Sequence, residues 1–440
     1  MGAHYSYGVD FGTTNTVIAR ANPAGEVETI QFGLSDQMSD VYRSVLCFQK
    51  IERDRSFDVE VSAGLEGIKA YLSALSEIRF IQSFKSHAAS RLFEDTRVFG
   101  QKFRFEDLLT AFLQTARKSA HEGALDQMGS SFISGRPVAF VGASPDDQLA
   151  MERYELGYKN AGFPTPQHVY EPVGAAYSYA KRLQKDATVL VGDFGGGTSD
   201  FSIIRFERHG DKVVAHPLGY AGVGIAGDSL DYRIIDAVIC PELGKGTQYK
   251  SFDKILEIPK HYFANFARWH QLAVLKTPQN MNELEELWQA SLAPDKLEAL
   301  IDTIMDDRGF DIYRAVSGAK AELSSKPSAR LQIKLGKIAI DREIQVQEFE
   351  QWIEKDLAQI GAAVDGLFDR KHINLDDIDH VFLTGGSSFI PAVKRLFADR
   401  FGPEKLADGN QFQSVAHGLA LIGLLDDVSP WLAGAELSLA

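Results

Sequence analysis

Two hydrophobic patterns alternate along this chain. Leu108, Leu109, Phe112, Leu113 and Ala116 mark one face of a helix that begins near Phe105. Phe349, Ile353, Leu357, Ile360, Val364 and Leu367 repeat at threes and fours over one long helix. Other apolar runs are too short for helices and read as buried strands. These are Ser44-Val45-Leu46-Cys47-Phe48, Pro137-Val138-Ala139-Phe140-Val141-Gly142 and His380-Val381-Phe382-Leu383. Strands are also expected at Leu331 to Leu335 and Lys337 to Arg342. Asp146 or Asp147 can cap a helix that continues toward Ala161. The alternation predicts an α/β protein. From about Leu230 to Ala321 the pattern reads instead as helix after helix, with little strand signal. Leu284, Leu287, Trp288 and Leu292, then Leu297, Leu300, Ile301 and Ile304, form apolar stripes there. Such stripes predict a helical subdomain with its own small core.

Two glycine-rich segments interrupt this pattern and echo each other. Gly8-Val9-Asp10-Phe11-Gly12-Thr13-Thr14-Asn15-Thr16 returns in altered form as Gly192-Asp193-Phe194-Gly195-Gly196-Gly197-Thr198-Ser199-Asp200. Each copy is an apolar strand, an Asp, a Gly/Thr-rich turn and a second strand, which predicts a tight β-hairpin. Glycines let the backbone approach a ligand and turn successive N–H groups toward an anion, and an Asp at a strand end can hold a hydrated divalent cation. Two such hairpins facing each other would grip the phosphates of a nucleotide and its Mg²⁺. Two further segments fit that chemistry. Glu171-Pro172-Val173-Gly174-Ala175-Ala176 opens a helix with Pro well placed in its first turn, and Thr384-Gly385-Gly386-Ser387-Ser388 joins a strand to a helix opened by Pro391.

Composition narrows the partners. The chain has 440 residues and a net charge of −14, which argues against a nucleic-acid or anionic-membrane surface as partner. Cys47 and Cys240 are too far apart in sequence for a zinc or redox motif, so a reducing, cytoplasmic setting is expected. No signal-peptide pattern opens the chain, and the apolar run from Gly418 to Leu425 is too short to span a bilayer. Met1-Gly2-Ala3-His4-Tyr5-Ser6 matches the loose N-myristoylation pattern, a match that arises easily by chance. Other matches are weaker still. Gly222-x-Gly224-x-x-Gly227 fits the dinucleotide fingerprint but has no acidic strand end at the required distance. The two Asp-Phe-Gly triplets lack the other kinase signatures. His261 and His270 lack ligand spacing, and Glu283, Glu285 and Glu286 read as a solvated helix face. No Ser-His-Asp or Cys-His arrangement stands out.

Taken in order, Asp10-Phe11-Gly12-Thr13-Thr14, Glu171-Pro172-Val173-Gly174-Ala175-Ala176, Asp193-Phe194-Gly195-Gly196-Gly197-Thr198, Gly227-Asp228 and Thr384-Gly385-Gly386-Ser387 resemble the phosphate, connect and adenosine motifs of the actin-like ATPase superfamily. The likeness is greatest to DnaK-type heat-shock chaperones, and within them to the short DnaK-like proteins of the YegD type. It implies a two-lobed fold of duplicated ribonuclease-H-like domains. Lobe I would cover 1–187, with a smaller subdomain at about 40–105. Lobe II would cover 188–400, with a helical insertion at about 230–330, and 401–440 would return to lobe I.

The resemblance also implies roles. Asp10 and Asp193 would hold Mg²⁺ through its waters, and the backbone of Gly12, Thr13 and Thr14 and of Gly195, Gly196 and Gly197 would cradle the β- and γ-phosphates of ATP or ADP. Thr13 and Thr198 would offer hydroxyls near the γ-phosphate. Lys85 occupies the place of a lysine that reaches the γ-phosphate, while Glu171 and Asp200 would orient the attacking water or accept its proton. Gly224, Gly227 and Asp228 would line the ribose, with Lys320, Ser324, Gly385, Gly386 and Ser387 around the adenine. Departures from the pattern fall on the base side, where Ser317 and Ala321 replace a glutamate and an arginine. Phe389, replacing a second arginine, would stack on the base. Phe412 stands where the last motif carries an Asp. The peptide-binding domain of full chaperones is not expected in this chain. The expected function is therefore a slow Mg²⁺-dependent ATPase, a chaperone-like protein acting through a protein partner or co-chaperone. The alternatives are a nucleotide sensor that does not hydrolyse and an actin-like filament protein.

Overall fold

The computed structural model describes residues 5–433 apart from 34–37, 55, 74–75, 127, 130, 141–143, 181–182, 210–211, 268–271, 273–274, 307 and 408–413. Met1 to His4, His270 and Phe412 lie outside the described residues. The chain divides into two compact units. The first comprises Met1–Gly224, Gly361–Ser388 and Leu396–Ala440, and the second Ile225–Ile360 and Phe389–Arg395.

The first unit holds two central sheets with one strand order. In the first sheet the strands run Gln167–Tyr170, Phe132–Arg136, Ser6–Phe11, Asn15–Ala21 and Val27–Thr29, with Tyr42–Arg43 added beside Asn15–Ala21. In the second they run Leu406–Ala407, His380–Thr384, Ala187–Phe194, Ser199–His209 and Lys212–Val223. Each has two strands parallel to the central one on one side and an antiparallel hairpin on the other. This repeated α/β order is that of the actin-like ATPase fold.

Central-strand composition follows from burial on both faces. Val189, Leu190 and Val191 are all fully buried, as are Ile203 and Ile204 beside them. Helix Ser414–Ile422 packs against the first strand and against helix Glu171–Ala180 with no room to spare. A Cβ at Gly8 would lie 2.3 Å from the Ala416 carbonyl oxygen, and one at Gly418 only 1.7 Å from that of Gly174. Glycine at Gly8 on the strand and at Gly418 on the helix is what lets the backbones meet and fixes Glu171 relative to the first strand. Beneath this strand, Phe11, Phe84, Phe105, Phe112 and Tyr154 form a buried aromatic cluster.

Several expected elements are present with shifted ends. The helix expected from Phe105 is Phe105–Ser119, and the long helix is Val346–Lys371. Helix Asp147–Asn160 is capped by Asp146, whose carboxylate accepts the Leu149 N–H at 3.0 Å. The strand expected at Pro137 to Gly142 is instead Phe132–Arg136. Pro137 has no N–H to extend the ladder, Val138 and Ala139 after it form a bend, and Val141 and Gly142 lie outside the described residues. The polar stretch before Arg97 forms a three-stranded sheet of Phe57–Ala63, Val45–Glu52 and Ile78–Gln82, with helix Gly64–Ser73.

The second unit is mostly helical but contains more strand than its apolar stripes suggest. A hairpin of Gln248–Ser251 and Lys254–Glu257 lies among the helices, missed because its second strand is exposed throughout and carries no buried alternation. Helices Pro278–Ala290 and Pro294–Met305 bury Leu284, Leu297, Leu300 and Ile304. The hairpin Ser328–Leu335 with Ile338–Gln345 covers the two strands expected there.

Candidate functional site

The two echoing segments form hairpins with the same turn. The Gly12 N–H donates to the Asn15 carbonyl at 3.0 Å, and the Gly195 N–H to the Thr198 carbonyl at 3.0 Å. In each, the Asp lies two residues before that glycine, at the end of the central strand, and the intervening Phe11 or Phe194 is buried. A Cβ at Gly12 would sit 2.2 Å from the Asn15 oxygen, so the first turn closes only around glycine. Ser44 braces it by donating its hydroxyl to the Gly12 carbonyl at 2.7 Å.

Lys85 reaches this site because of the residues flanking it. Strand Ile78–Gln82 ends at Ser83, whose backbone is left-handed with φ 55°, and a short 3-10 turn follows over Phe84–His87. Phe84 anchors that turn in the aromatic cluster, 5.5 Å from the Phe11 ring and 5.7 Å from Phe112. Lys85 then donates to Glu171 Oε1 at 2.7 Å, and both side chains are more than nine-tenths buried. Its ammonium also lies 5.9 Å from the centre of the Phe11 ring. Glu171 is the first residue of helix Glu171–Ala180, directly after strand Gln167–Tyr170. Gly135 leaves it room, since a Cβ there would be 3.0 Å from Glu171 Cγ.

Asp200 faces Asp193 across the second hairpin. Its Oδ1 accepts the Val138 N–H at 2.8 Å and the Ala139 N–H at 3.3 Å, while the Thr198 hydroxyl bonds to the same carboxylate. The segment after Pro137 thus serves as a pair of backbone donors, a role that its apolar side chains hid.

The electrostatics of this cluster are lopsided. Burial and the neighbouring Glu171 push the Asp10 carboxyl up to about 7, against the pull of Lys85. Asp193 is raised well above the ordinary carboxylate range by burial and by Asp10, Glu171 and Asp200. Asp200 is pushed up to about 7 by burial and Glu171, although its hydrogen bonds oppose this. Burial alone would lower Lys85, but Glu171, with Tyr154 and Asp10, holds it above its ordinary value. Carboxylates therefore outnumber the lysine that opposes them. A hydrated divalent cation fits this donor set, and it would relieve the repulsion that raises Asp10 and Asp193. Among the described residues no three His, Cys, Asp or Glu side chains gather closely enough to ligate a metal directly.

Gly385 adjoins the second hairpin. Its φ is +84°, and a Cβ would lie 2.2 Å from the Phe194 carbonyl oxygen, so only glycine passes here. Gly386 and Ser387 follow in a 3-10 turn, Gly386–Phe389, in which the Ser388 hydroxyl donates to the Gly385 carbonyl at 2.6 Å. Asp10, Gly12, Thr13, Thr14, Lys85, Glu171, Asp193, Gly195, Gly196, Gly197, Thr198, Asp200, Gly224, Gly385, Gly386 and Ser387 all belong to the first unit.

Gly227, Asp228, Lys320, Ser324 and Phe389 belong to the second unit. Gly227 and Asp228 open helix Gly227–Ile234. Lys320 donates to the Gly227 carbonyl at 3.0 Å and pairs with the buried Asp231 at 2.9 Å, and Ser324 donates its hydroxyl to the Lys320 carbonyl at 3.0 Å. Asp231 was not singled out from the sequence, where it is one acid among many on a helix. Phe389 is 36% exposed, with the Lys394 ammonium 5.9 Å from its ring centre. Ser317 is half-buried and Ala321 exposed on helix Gly309–Leu323.

The Hsp70 protein family model matches residues 296–428. Chaperone protein DnaK of Thermotoga neapolitana is 25% identical over 432 residues, which cover 98% of this chain and 60% of the relative. DnaK of Thermosipho melanesiensis is 24% identical, covering 95% of this chain and 58% of the relative, and that of Halobacterium salinarum is 26% identical, covering 76% and 46%. The chain spans less than two thirds of the length of these relatives. It is thus similar to the Hsp70 and DnaK chaperones, and with two of these relatives the similarity runs along nearly its whole length.

Proposed function

We propose that the protein binds Mg-ATP at the two hairpins and hydrolyses it slowly, as a DnaK-like, chaperone-type ATPase that signals to a protein partner or co-chaperone. The observation that carries this reading is the buried Lys85–Glu171 pair set beside Asp10, Asp193 and Asp200. Backbone N–H groups of Gly12 to Thr14 and of Gly195 to Gly197 hold the β- and γ-phosphates, with the Thr13 hydroxyl beside them. Asp10 and Asp193 hold hydrated Mg²⁺. The ion, when bound, neutralises charge on the phosphate oxygens. Lys85 leaves Glu171 for the γ-phosphate and supplies positive charge where it develops. Glu171 and Asp200 orient the attacking water, and an Asp200 carboxyl that titrates near 7 suits the acceptance of its proton. Thr198 keeps the Asp200 carboxylate oriented.

In this reading Gly224, Gly227, Asp228, Lys320 and Ser324 serve the ribose and adenine, with Gly385, Gly386, Ser387 and Phe389. Residues 1–187 and 188–400 act as lobes whose closure on ATP and relaxation after hydrolysis form the output. Residues 230–330 form the insertion in the second lobe, and 401–440 return to the first. The setting is cytoplasmic. Among the described residues no helix is long and apolar enough to cross a membrane.

A second reading, a nucleotide sensor without turnover, is favoured by the base-side residues Ser317, Ala321 and Phe389. Equilibrium binding of Mg-ATP and single-turnover hydrolysis, measured beside Lys85→Ala and Asp193→Ala, separate the two. Hydrolysis that drops about tenfold or more in Lys85→Ala while binding persists supports the ATPase. Tight binding with no turnover in the parent makes the protein a sensor, and absence of binding sinks both.

A further inference from the structure

Tyr154 lies on helix Asp147–Asn160 and is completely buried, yet its hydroxyl has no hydrogen-bond partner among the described residues. Buried tyrosine hydroxyls ordinarily find one, because leaving the group unpaired away from water costs free energy. The ring needs no hydroxyl to hold its place. It stacks on Phe105 at 5.8 Å and meets Phe11 and Phe140 edge-on at 5.9 Å and 6.1 Å. A phenylalanine would make the same contacts without the unpaired oxygen. His168 lies 6.1 Å away between ring centres, but its two nitrogens are equally without partners among the described residues, so it does not account for the hydroxyl.

The location suggests what does. Phe11 touches Tyr154 on one side and has the Lys85 ammonium above its ring. The hydroxyl feels both members of the Lys85–Glu171 pair, since Lys85 favours its ionised form and Glu171 opposes it. While Lys85 bonds to Glu171 at 2.7 Å, the carboxylate has its donor and Tyr154 has nothing to do. Once Lys85 turns to a phosphate, Glu171 is left buried without its cation, in a site already rich in carboxylates. It then needs a donor from the protein.

We infer that Tyr154 is a positioning residue whose hydroxyl donates to the Glu171 carboxylate when Lys85 is engaged by the γ-phosphate, holding that carboxylate toward the attacking water. The inference rests on the ATPase reading above. It makes an orphaned hydroxyl the stored partner of the second state of the site.

The test is Tyr154→Phe in the full chain, with thermal midpoint without nucleotide, Mg-ATP affinity and single-turnover hydrolysis measured together. Loss of a hydroxyl that is unpaired without nucleotide should leave the midpoint unchanged or raise it. Mg-ATP affinity should stay within about twofold, while hydrolysis slows about tenfold, the effect of losing a hydrogen bond to a charged group. In a Glu171→Gln background the same substitution should slow hydrolysis by less than about twofold further, since the two residues act as one unit. Unchanged hydrolysis in Tyr154→Phe overturns the inference, as does a midpoint that falls together with turnover, which would mark a purely structural tyrosine. Additive losses in the double variant overturn it as well. If the parent binds Mg-ATP without hydrolysing it, the ATPase reading fails first and this inference goes with it.

Discussion

Replacing Lys85 with methionine removes a cation from a site that has too few, and the cost should depend on pH in a way that ordinary packing defects do not. Methionine fills much the same volume, so the change is chiefly one of charge. Lys85 and Glu171 are 9% and 7% exposed, so water screens their attraction little. Breaking a buried pair by removing one partner typically costs about 3–5 kcal/mol, because the remaining charge stays desolvated. At pH 8 the Asp10 and Asp200 carboxyls, which titrate near 7, are ionised, and Glu171 faces them without its counter-charge. The expected loss there is about 3 kcal/mol. At pH 5.5 both carboxyls are largely protonated in the folded protein. Without Lys85, which lowers Asp10 and Asp193, the folded variant binds protons more tightly than the parent. Acidification thus stabilises the variant more than the parent, and the gap should narrow to about half. Urea denaturation of both proteins at the two pH values measures this directly. Equal losses at both values, or a loss below about 1 kcal/mol at pH 8, would refute the charge argument.

The parent itself should become less stable as pH rises from about 5 to 8. Asp10 and Asp200 keep their protons in the folded state up to about 7 but release them near 4 when unfolded, so each contributes a slope of up to about 1.4 kcal/mol per pH unit inside that window. The rise in thermal midpoint given by Mg-ATP should be larger at pH 8 than at pH 5.5, because the cation meets ionised carboxylates. Asp200→Asn keeps the Oδ1 that accepts from Val138 and Ala139 but removes a charge, so it should raise the thermal midpoint at pH 8 while slowing hydrolysis about a hundredfold. Gly12→Ala, whose methyl would meet the Asn15 oxygen at 2.2 Å, should cost more than about 2 kcal/mol by urea denaturation; Gly224→Ala, with nothing within 4 Å, should cost less than about 0.5. Lys320→Met leaves Asp231 buried without its cation and should cost about 3 kcal/mol, most of it recovered on adding Asp231→Asn.

The fold was legible where one periodicity ran long enough to stand alone. Val346–Lys371 and Phe105–Ser119 were visible because their apolar positions keep one helical face over several turns. The hairpins were visible because the turn chemistry repeats. Strand ends near Pro137 were not, since Val138, Ala139 and Phe140 have the composition of a strand, while Pro137 lacks an N–H for the ladder and the Val138 and Ala139 N–H groups donate to Asp200. In the hairpin of Gln248–Ser251 and Lys254–Glu257 the second strand is exposed throughout and the first only half-buries Tyr249 and Ser251, so no apolar alternation marks it. In the site, Asp10 and Asp193 stood out from their local strings. Lys85 could be singled out only by likeness to a family, because what positions it is tertiary: the left-handed Ser83 and the burial of Phe84. Val138, Ala139, Tyr154 and Asp231 left no trace, because backbone donors and lone buried partners obey no spacing rule.

The two sheets share a strand order and a turn, so the chemistry must lie in what they do not share. In the first hairpin the residue opposite Asp10 is Val17, whereas in the second the residue opposite Asp193 is Asp200. Like charges facing each other across strands are destabilising, and nothing in the folding of a hairpin calls for them. The second hairpin bears that cost and offsets it in part with N–H groups drawn from Val138 and Ala139, which follow a strand of the other sheet. The first hairpin carries a neutral valine and has its charges delivered by separate elements, Lys85 from a 3-10 turn and Glu171 from a helix start. Among the described residues one copy thus holds an acid that no cation pairs with, and the other sits beside a lysine that, in the mechanism proposed above, changes partners. A site built of two identical hairpins could bind phosphates symmetrically. In the proposed mechanism, the difference between Val17 and Asp200 gives one face a candidate base and leaves the other to supply the mobile cation.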